Sequence, residues 1–177
     1  MWEISLKKGY IHVYTGNGKG KTTAALGLGL RAAGAGFKVH MFQFMKGRRY
    51  SEIDGLEEVN NFSVSQHGRD EFVNKENPED IDIKMAQEGF SKAKEMIKEN
   101  KHDMIILDEI NVAVDFKLIE LEEVVDLVRE KPEKLELVLT GRYADPKLVK
   151  IADYVSEVLE IKHPYQEGIL GRKGVDF

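Results

Sequence analysis

Residues 10–23, YIHVYTGNGKGKTT, set a β-rich run, a glycine-rich turn and a Gly-Lys-Thr-Thr sequence in unbroken succession. The run 10–15 predicts a strand that must end where the glycines begin. The alanine- and leucine-rich stretch 21–34 predicts a helix, closed by Gly34 and Gly36. A strand–loop–helix of this kind turns backbone N–H groups and the positive end of a helix toward one point, which suits an anion. The phosphate-loop pattern is G-x-x-x-x-G-K-[ST]. Gly20, Lys21 and Thr22 match its end, but Thr15 stands where its first glycine belongs. Gly16 and Gly18 still allow the loop to curl, with Asn17 between them. Thr15, Gly16, Asn17, Gly18, Lys19, Gly20, Lys21, Thr22 and Thr23 are therefore the expected phosphate-binding set. Lys21 is expected to bridge phosphate oxygens and Thr22 to ligate Mg²⁺, while Lys19 adds a second positive charge.

The rest of the chain alternates between the two kinds of element. KVHMFQF (38–44) predicts a strand, with Val39, Met41 and Phe44 toward the core. Residues 45–55 read as a loop that gathers Lys46, Arg48 and Arg49, either as a solvated loop or as a docking patch. FSVSQ (62–66) predicts a short strand. Asn77 can cap, and Pro78 open, a helix whose Ala86, Phe90, Ala93 and Ile97 form one apolar stripe. DMIILDE (103–109) is an apolar run ending in two acids, the pattern of a buried parallel strand. Leu121, Val124, Val125 and Val128 form another helical stripe, stopped before Pro132. LELVLTG (135–141) predicts a buried strand, PKLVKIA a short helix, and YVSEVLEIK (154–162) a half-buried edge strand. Strands separated by helices imply parallel βαβ units. The expected fold is α/β: a single-domain P-loop NTPase (RecA-like) three-layer sandwich with a mostly parallel central sheet, over residues 1–177.

In such sheets, ligands bind at the carboxyl ends of the strands. The phosphate loop, Asp108 with Glu109, and Arg142 all fall at those ends. One of the two acids is expected to hold Mg²⁺ while the other orders the site. Glu109 could also orient a nucleophile toward a γ-phosphorus, so the loop and acids do not by themselves separate phosphoryl transfer from other uses of a triphosphate.

Composition removes several classes. The 177 residues are 42% hydrophobic and 32% charged, with a formal net charge of −5. That charge argues against nucleic acid as a partner. With no cysteine, thiolate metal sites, disulfides and cysteine nucleophiles are excluded. His12, His40, His102 and His163 lack metal-ligand spacing. MWEISLKKGY lacks the apolar run of a secretory signal. The longest helical apolar segment, AALGLGLRAAGAG, is too short for a bilayer and carries Arg31. The expectation is a cytoplasmic protein without a membrane partner.

YTGNGKGKTTAALGLGLRAAG, VHMFQFMKG, ILDEINVAV, VLTGR, ADYVSEV and KHPYQEGILGRKGVDF occur in this order. Over residues 9–177 the chain resembles the ATP:corrinoid (cob(I)alamin) adenosyltransferases of the CobA/CobO/BtuR type. The loop without its first glycine and the GVDF ending both belong to that family's pattern. The resemblance implies transfer of the 5′-deoxyadenosyl group of ATP to the Co(I) centre of a reduced corrinoid, with the whole triphosphate leaving. ATP would lie in the loop reversed relative to ordinary P-loop proteins. Lys21, Thr22 and Glu109 would then be catalytic, and Thr22, Asp108 and Glu109 would hold Mg²⁺ or Mn²⁺.

The resemblance further implies a homodimer. Because the chain has no flavin or nicotinamide fingerprint, it also implies a separate electron donor such as a flavodoxin-like protein. Arg31 becomes a nucleotide contact, against a solvated helix charge. Arg142 becomes a contact to triphosphate or corrin amides, against an ion pair across a subunit interface. Where the family carries an aromatic-rich segment after the third strand, this chain has QHGRDEFVNKENP. Arg69, Phe72 and, from KHPY, His163 are the expected corrinoid contacts, against a mobile surface loop for the first two and a capping or core role for His163, and the choice among cobalamin, cobinamide and a precursor stays open. His67 is either a group approaching cobalt or a solvent-exposed loop residue. Two other classes compete: a P-loop small-molecule kinase or ATPase releasing ADP and phosphate, and a switch module that binds without turnover.

Overall fold

The computed structural model describes residues 6–176. Half of the N-terminal stretch read for a signal, and the phenylalanine that ends GVDF, lie outside them. In chain order the elements are β1 (Ile11–Thr15), α1 (Lys21–Gly34), β2 (Val39–Phe44), α2 (Ser51–Glu57), β3 (Phe62–His67), α3 (Asp80–Glu99), β4 (Met104–Asp108), α4 (Ile110–Asp115), α5 (Leu121–Glu130), β5 (Glu136–Thr140), α6 (Pro146–Ile151) and β6 (Tyr154–Glu157). A short 3₁₀ turn follows at Pro164–Glu167.

The six strands form one sheet in the order β3-β2-β4-β5-β1-β6, and every neighbouring pair is parallel. The architecture is the expected three-layer α/β sandwich. The apolar runs are continuous because the inner strands are covered on both faces. Phe42, Phe44, Ile105, Leu107, Leu137 and Leu139 pack with Ala86, Phe90, Ala93, Val124, Val125 and Val128 of α3 and α5. On the opposite face Val39, Met41, Ile106 and Val138 pack with Ala25, Ala32 and Ala33 of α1. The small residues of α1 let it approach closely. A Cβ on Gly29 would come within 2.6 Å of the Phe62 ring.

Three sequence expectations need correction. Residues 51–57 of the expected loop form α2; only its Leu56 is buried, so no apolar stripe announces it. The helix expected from Asn77 starts at Asp80, because Glu79 and Asp82 form a reciprocal capping box. Val39, Met41 and Phe44 lie in the core as expected, and because the sheet is covered on both faces the other three positions of β2 are buried with them. The last strand stops at Glu157 and is exposed throughout. Residues 159–176 run along the surface, exposed but for His163. Among the described residues, no helix is long and apolar enough to cross a membrane.

The edge of the sheet at β2 and β3 buries a histidine. His40 Nδ1 lies 2.7 Å from Ser63 Oγ and its Nε2 lies 3.0 Å from Ser65 Oγ. Burial lowers its pKa from 6.5 to about 4, helped by nearby His102 and His67. The unfolded chain therefore takes up a proton that the folded chain refuses. The contribution of His40 to stability is complete above pH 6.5 and is lost as pH falls toward 4. The loss should reach about 2 kcal/mol near pH 5. Urea denaturation at neutral and mildly acidic pH checks this: His40→Gln should narrow the gap between the two stabilities by about that amount.

Candidate active site

Parallel pairing aligns all the strand ends, so the loops after β1, β2, β4 and β5 meet at one edge of the sheet. The loop after β1 is fixed first. Gly20 caps α1 at φ 117°, a left-handed conformation that favours glycine. Gly18 N–H donates to the Val158 carbonyl at 2.8 Å, and a Cβ on Gly18 would come within 2.6 Å of the Leu159 carbonyl oxygen. Thr15 has a use that glycine could not serve. Its hydroxyl accepts the Ala144 N–H at 3.2 Å and ties the phosphate loop to the loop after β5.

Lys21 is only 7% exposed, and its ammonium donates to the Gly18 carbonyl at 2.7 Å, within the loop. Burial lowers its pKa, while the charges of Glu109 and Asp108 oppose that shift. Lys19 turns outward. It pairs with Asp176 near the chain end and donates to the Val175 carbonyl at 3.0 Å. That pairing holds the Asp176 carboxyl below its ordinary value.

Asp108 is the centre of the site and is fully buried. Its Oδ1 accepts from the Thr22 hydroxyl at 2.8 Å and from the Thr140 hydroxyl at 2.7 Å. Its Oδ2 accepts from Lys46 at 2.8 Å. Glu109 follows at φ 62°, a left-handed conformation that costs a non-glycine residue strain and gathers at functional sites. Its N–H donates to the Thr140 hydroxyl at 3.0 Å. Burial raises the Glu109 pKa and Asp108 adds to the rise, while Lys46, Lys21 and Arg142 oppose it. Thr22, Asp108 and Glu109 thus offer hard oxygen donors beside the phosphate loop, the donor type that Mg²⁺ takes together with phosphate oxygens.

The other expected residues lie farther out. Arg142 is exposed, though both Lys21 and Glu109 feel its charge. Arg31 is exposed in the last turn of α1, roughly 15 Å along the helix from Lys21, and its charge is felt by Tyr14. Arg69 and Phe72 follow β3, on the same edge but four strands from β1. Phe72 is fully exposed. The Arg69 guanidinium is taken up by Asp82, at 2.8 and 2.9 Å, and by Glu79 at 2.9 Å. His163 accepts the Tyr165 N–H at 3.1 Å and caps the 3₁₀ turn. His67 is neither an exposed loop residue nor free to approach cobalt. It ends β3, is 8% exposed, lies 3.0 Å from Ser65 Oγ, and packs so closely on Gly89 that a Cβ there would clash.

Sequence reasoning missed two parts of the site. Thr140 falls within VLTGR, but nothing in that run gives its hydroxyl a role beyond its place at the end of β5. The sequence alone places Lys46 with Arg48 and Arg49 in one basic loop. The structure separates them: Lys46 turns inward to Asp108, while Arg49 pairs with Asp54 and Glu57 on the surface. The signal that could have found Lys46 is its position just past a fully buried strand.

Comparison with known proteins places the chain in a family. Residues 7–177 match the family model described as ATP:corrinoid adenosyltransferase BtuR/CobO/CobP. A corrinoid adenosyltransferase of Sinorhizobium is 38% identical over 174 residues, covering 97% of this chain and 81% of that protein. A corrinoid adenosyltransferase of Escherichia coli K12 is 36% identical over 177 residues, covering 97% of this chain and 87% of its own. The corrinoid adenosyltransferase CobA of Salmonella typhimurium is 33% identical with the same coverage. With a phosphate loop and a buried acid joined in one hydrogen-bonded site, and with a match of this length, the chain belongs to the ATP:corrinoid adenosyltransferase family.

Proposed function

We propose that this domain transfers the 5′-deoxyadenosyl group of ATP to the Co(I) centre of a reduced corrinoid, in the making or salvage of adenosylcobalamin. The observation that carries the reading is the meeting of the phosphate loop with Asp108, on which Thr22 and Lys46 both donate. In this reading Co(I) supplies an electron pair to C5′, the C5′–O bond breaks, and its electrons leave with the intact triphosphate.

The chain's own groups then have two tasks. One is to hold C5′ in line with the nucleophile. The other is to stabilise the charge that grows on the leaving triphosphate. Lys21 and the loop N–H groups face that charge, and Lys19 adds to it if nucleotide draws it from Asp176. Thr22, Asp108 and Glu109 would hold Mg²⁺ or Mn²⁺, and a divalent ion there would neutralise triphosphate oxygens. Arg142 is placed to meet the same oxygens or the corrin amides. Phe72, Arg69 and His163 are proposed for the corrinoid side, and Arg31 for the outer part of the nucleotide. A second copy of the chain and a separate one-electron donor complete the working assembly.

The test is anaerobic incubation with ATP, Mg²⁺ and chemically reduced cobalamin or cobinamide. The expected result is the light-sensitive spectrum of a cobalt–carbon bond, formed only with protein and ATP together. A corrinoid spectrum that never changes would remove the reading. One observation favours a second reading as a kinase or ATPase: Glu109, directly after the buried acid, could orient a nucleophile toward phosphorus. That reading predicts ADP and phosphate instead.

A further inference from the structure

Lys46 shares its oxygens with the proposed metal. Its Nζ lies 2.8 Å from Asp108 Oδ2 and 3.4 Å from Thr22 Oγ1, the same two residues whose oxygens would ligate a divalent ion. The ammonium is mostly covered: its side chain is 16% exposed, against 0% for Asp108. It also stands 5.5 Å from the Tyr50 ring centroid. An ammonium at these distances and a divalent ion on the same oxygens would be two cations in contact, so one must give way. Lys46 is the one that can, because a lysine stem is long and flexible and its charge is a point with three donors. Glu109 and Glu52 are the other carboxylates whose charge reaches it. Glu109 is itself one of the proposed ligands, and Glu52 lies on α2.

We propose that Lys46 and the divalent ion exchange at Asp108: metal binding turns the Lys46 ammonium onto the triphosphate oxygens, where it becomes a further lysine acting on the leaving group. This rests on the functional reading above. It makes Lys46 a residue of the reaction rather than a fixed strut of the fold. It also makes metal and triphosphate bind cooperatively, since each supplies what the other displaces.

The test is a pair of titrations that need no turnover. In the first, Mn²⁺ alone is bound to wild type and to Lys46→Met, followed by electron paramagnetic resonance. In the second, inorganic tripolyphosphate is bound in the presence of saturating Mn²⁺. Lys46→Gln, which keeps a donor for Asp108 without the charge, stands in if the methionine variant does not fold. The expected result is a change of opposite sign: Mn²⁺ alone binds about tenfold tighter in the variants, and tripolyphosphate about tenfold more weakly. A merely structural lysine would lower both. Any pattern other than tighter metal with weaker tripolyphosphate overturns the exchange. Product analysis reports on the functional reading separately. Failure of wild type to form adenosylcorrinoid removes that reading whichever way the manganese titration runs.

Discussion

Lys21→Ala is expected to lower kcat/KM for adenosyl transfer by about a hundred- to a thousandfold, the cost of removing one preorganised group that faces developing charge. The lysine is 7% exposed, and its ammonium is held 2.7 Å from the Gly18 carbonyl. Its position is therefore set before ligand arrives, and its charge acts where little water screens it. The same substitution should cost stability only about 1 kcal/mol, because it leaves one loop carbonyl without its donor. Steady-state rates of cobalt–carbon bond formation, with denaturation curves on the same samples, separate the two effects. Full transfer by Lys21→Ala would show that the loop is not the triphosphate site. Weakened nucleotide binding with no turnover in wild type would instead point to a switch module.

Asp108→Ala should have the largest effect on stability. The carboxylate is fully buried and accepts from Thr22, Thr140 and Lys46. Its removal leaves the mostly covered Lys46 ammonium without its counter-charge, a loss of about 3–5 kcal/mol for a buried pair. Asp108→Asn keeps the shape and one acceptor oxygen, so it should retain more of the stability. It should still lose at least about a hundredfold in transfer rate, since the negative charge facing the metal is gone. Urea midpoints for both variants test the first claim, and rates across a Mg²⁺ series test the second. If Asp108→Ala unfolded at the wild-type urea concentration, the hydrogen-bonded site described here would not be what holds these loops together.

The sheet was legible because its strands are apolar runs that cannot be satisfied in water. MIILD and LVLT are buried along their length, and the stripe of Ala86, Phe90, Ala93 and Ile97 faces the core as its spacing requires. Among the short elements, the helix at Pro146–Ile151 was legible from its proline and the Asp145 cap, but others were not. α2 buries one residue and gives no period, and α4, at six residues, is too short for one. The site shows the same division. Lys21, Thr22 and Asp108 announce themselves by local pattern, since the chemistry fixes their spacing from a glycine turn or a strand end. Lys46 and Thr140 do not, because their roles come from strands β2 and β5 lying beside β4 in space. His67 misled for the same reason: nothing in its neighbours along the chain reveals that α3 covers it.

³¹P NMR of the phosphate products during anaerobic turnover with ATP, Mg²⁺ and Co(I) corrinoid distinguishes attack at C5′ from attack at phosphorus. One intact tripolyphosphate for each cobalt–carbon bond formed is the result predicted for attack at C5′ with Lys21 and Thr22 on the leaving group. ADP and orthophosphate, without adenosylcorrinoid, would place the attack at phosphorus and contradict it.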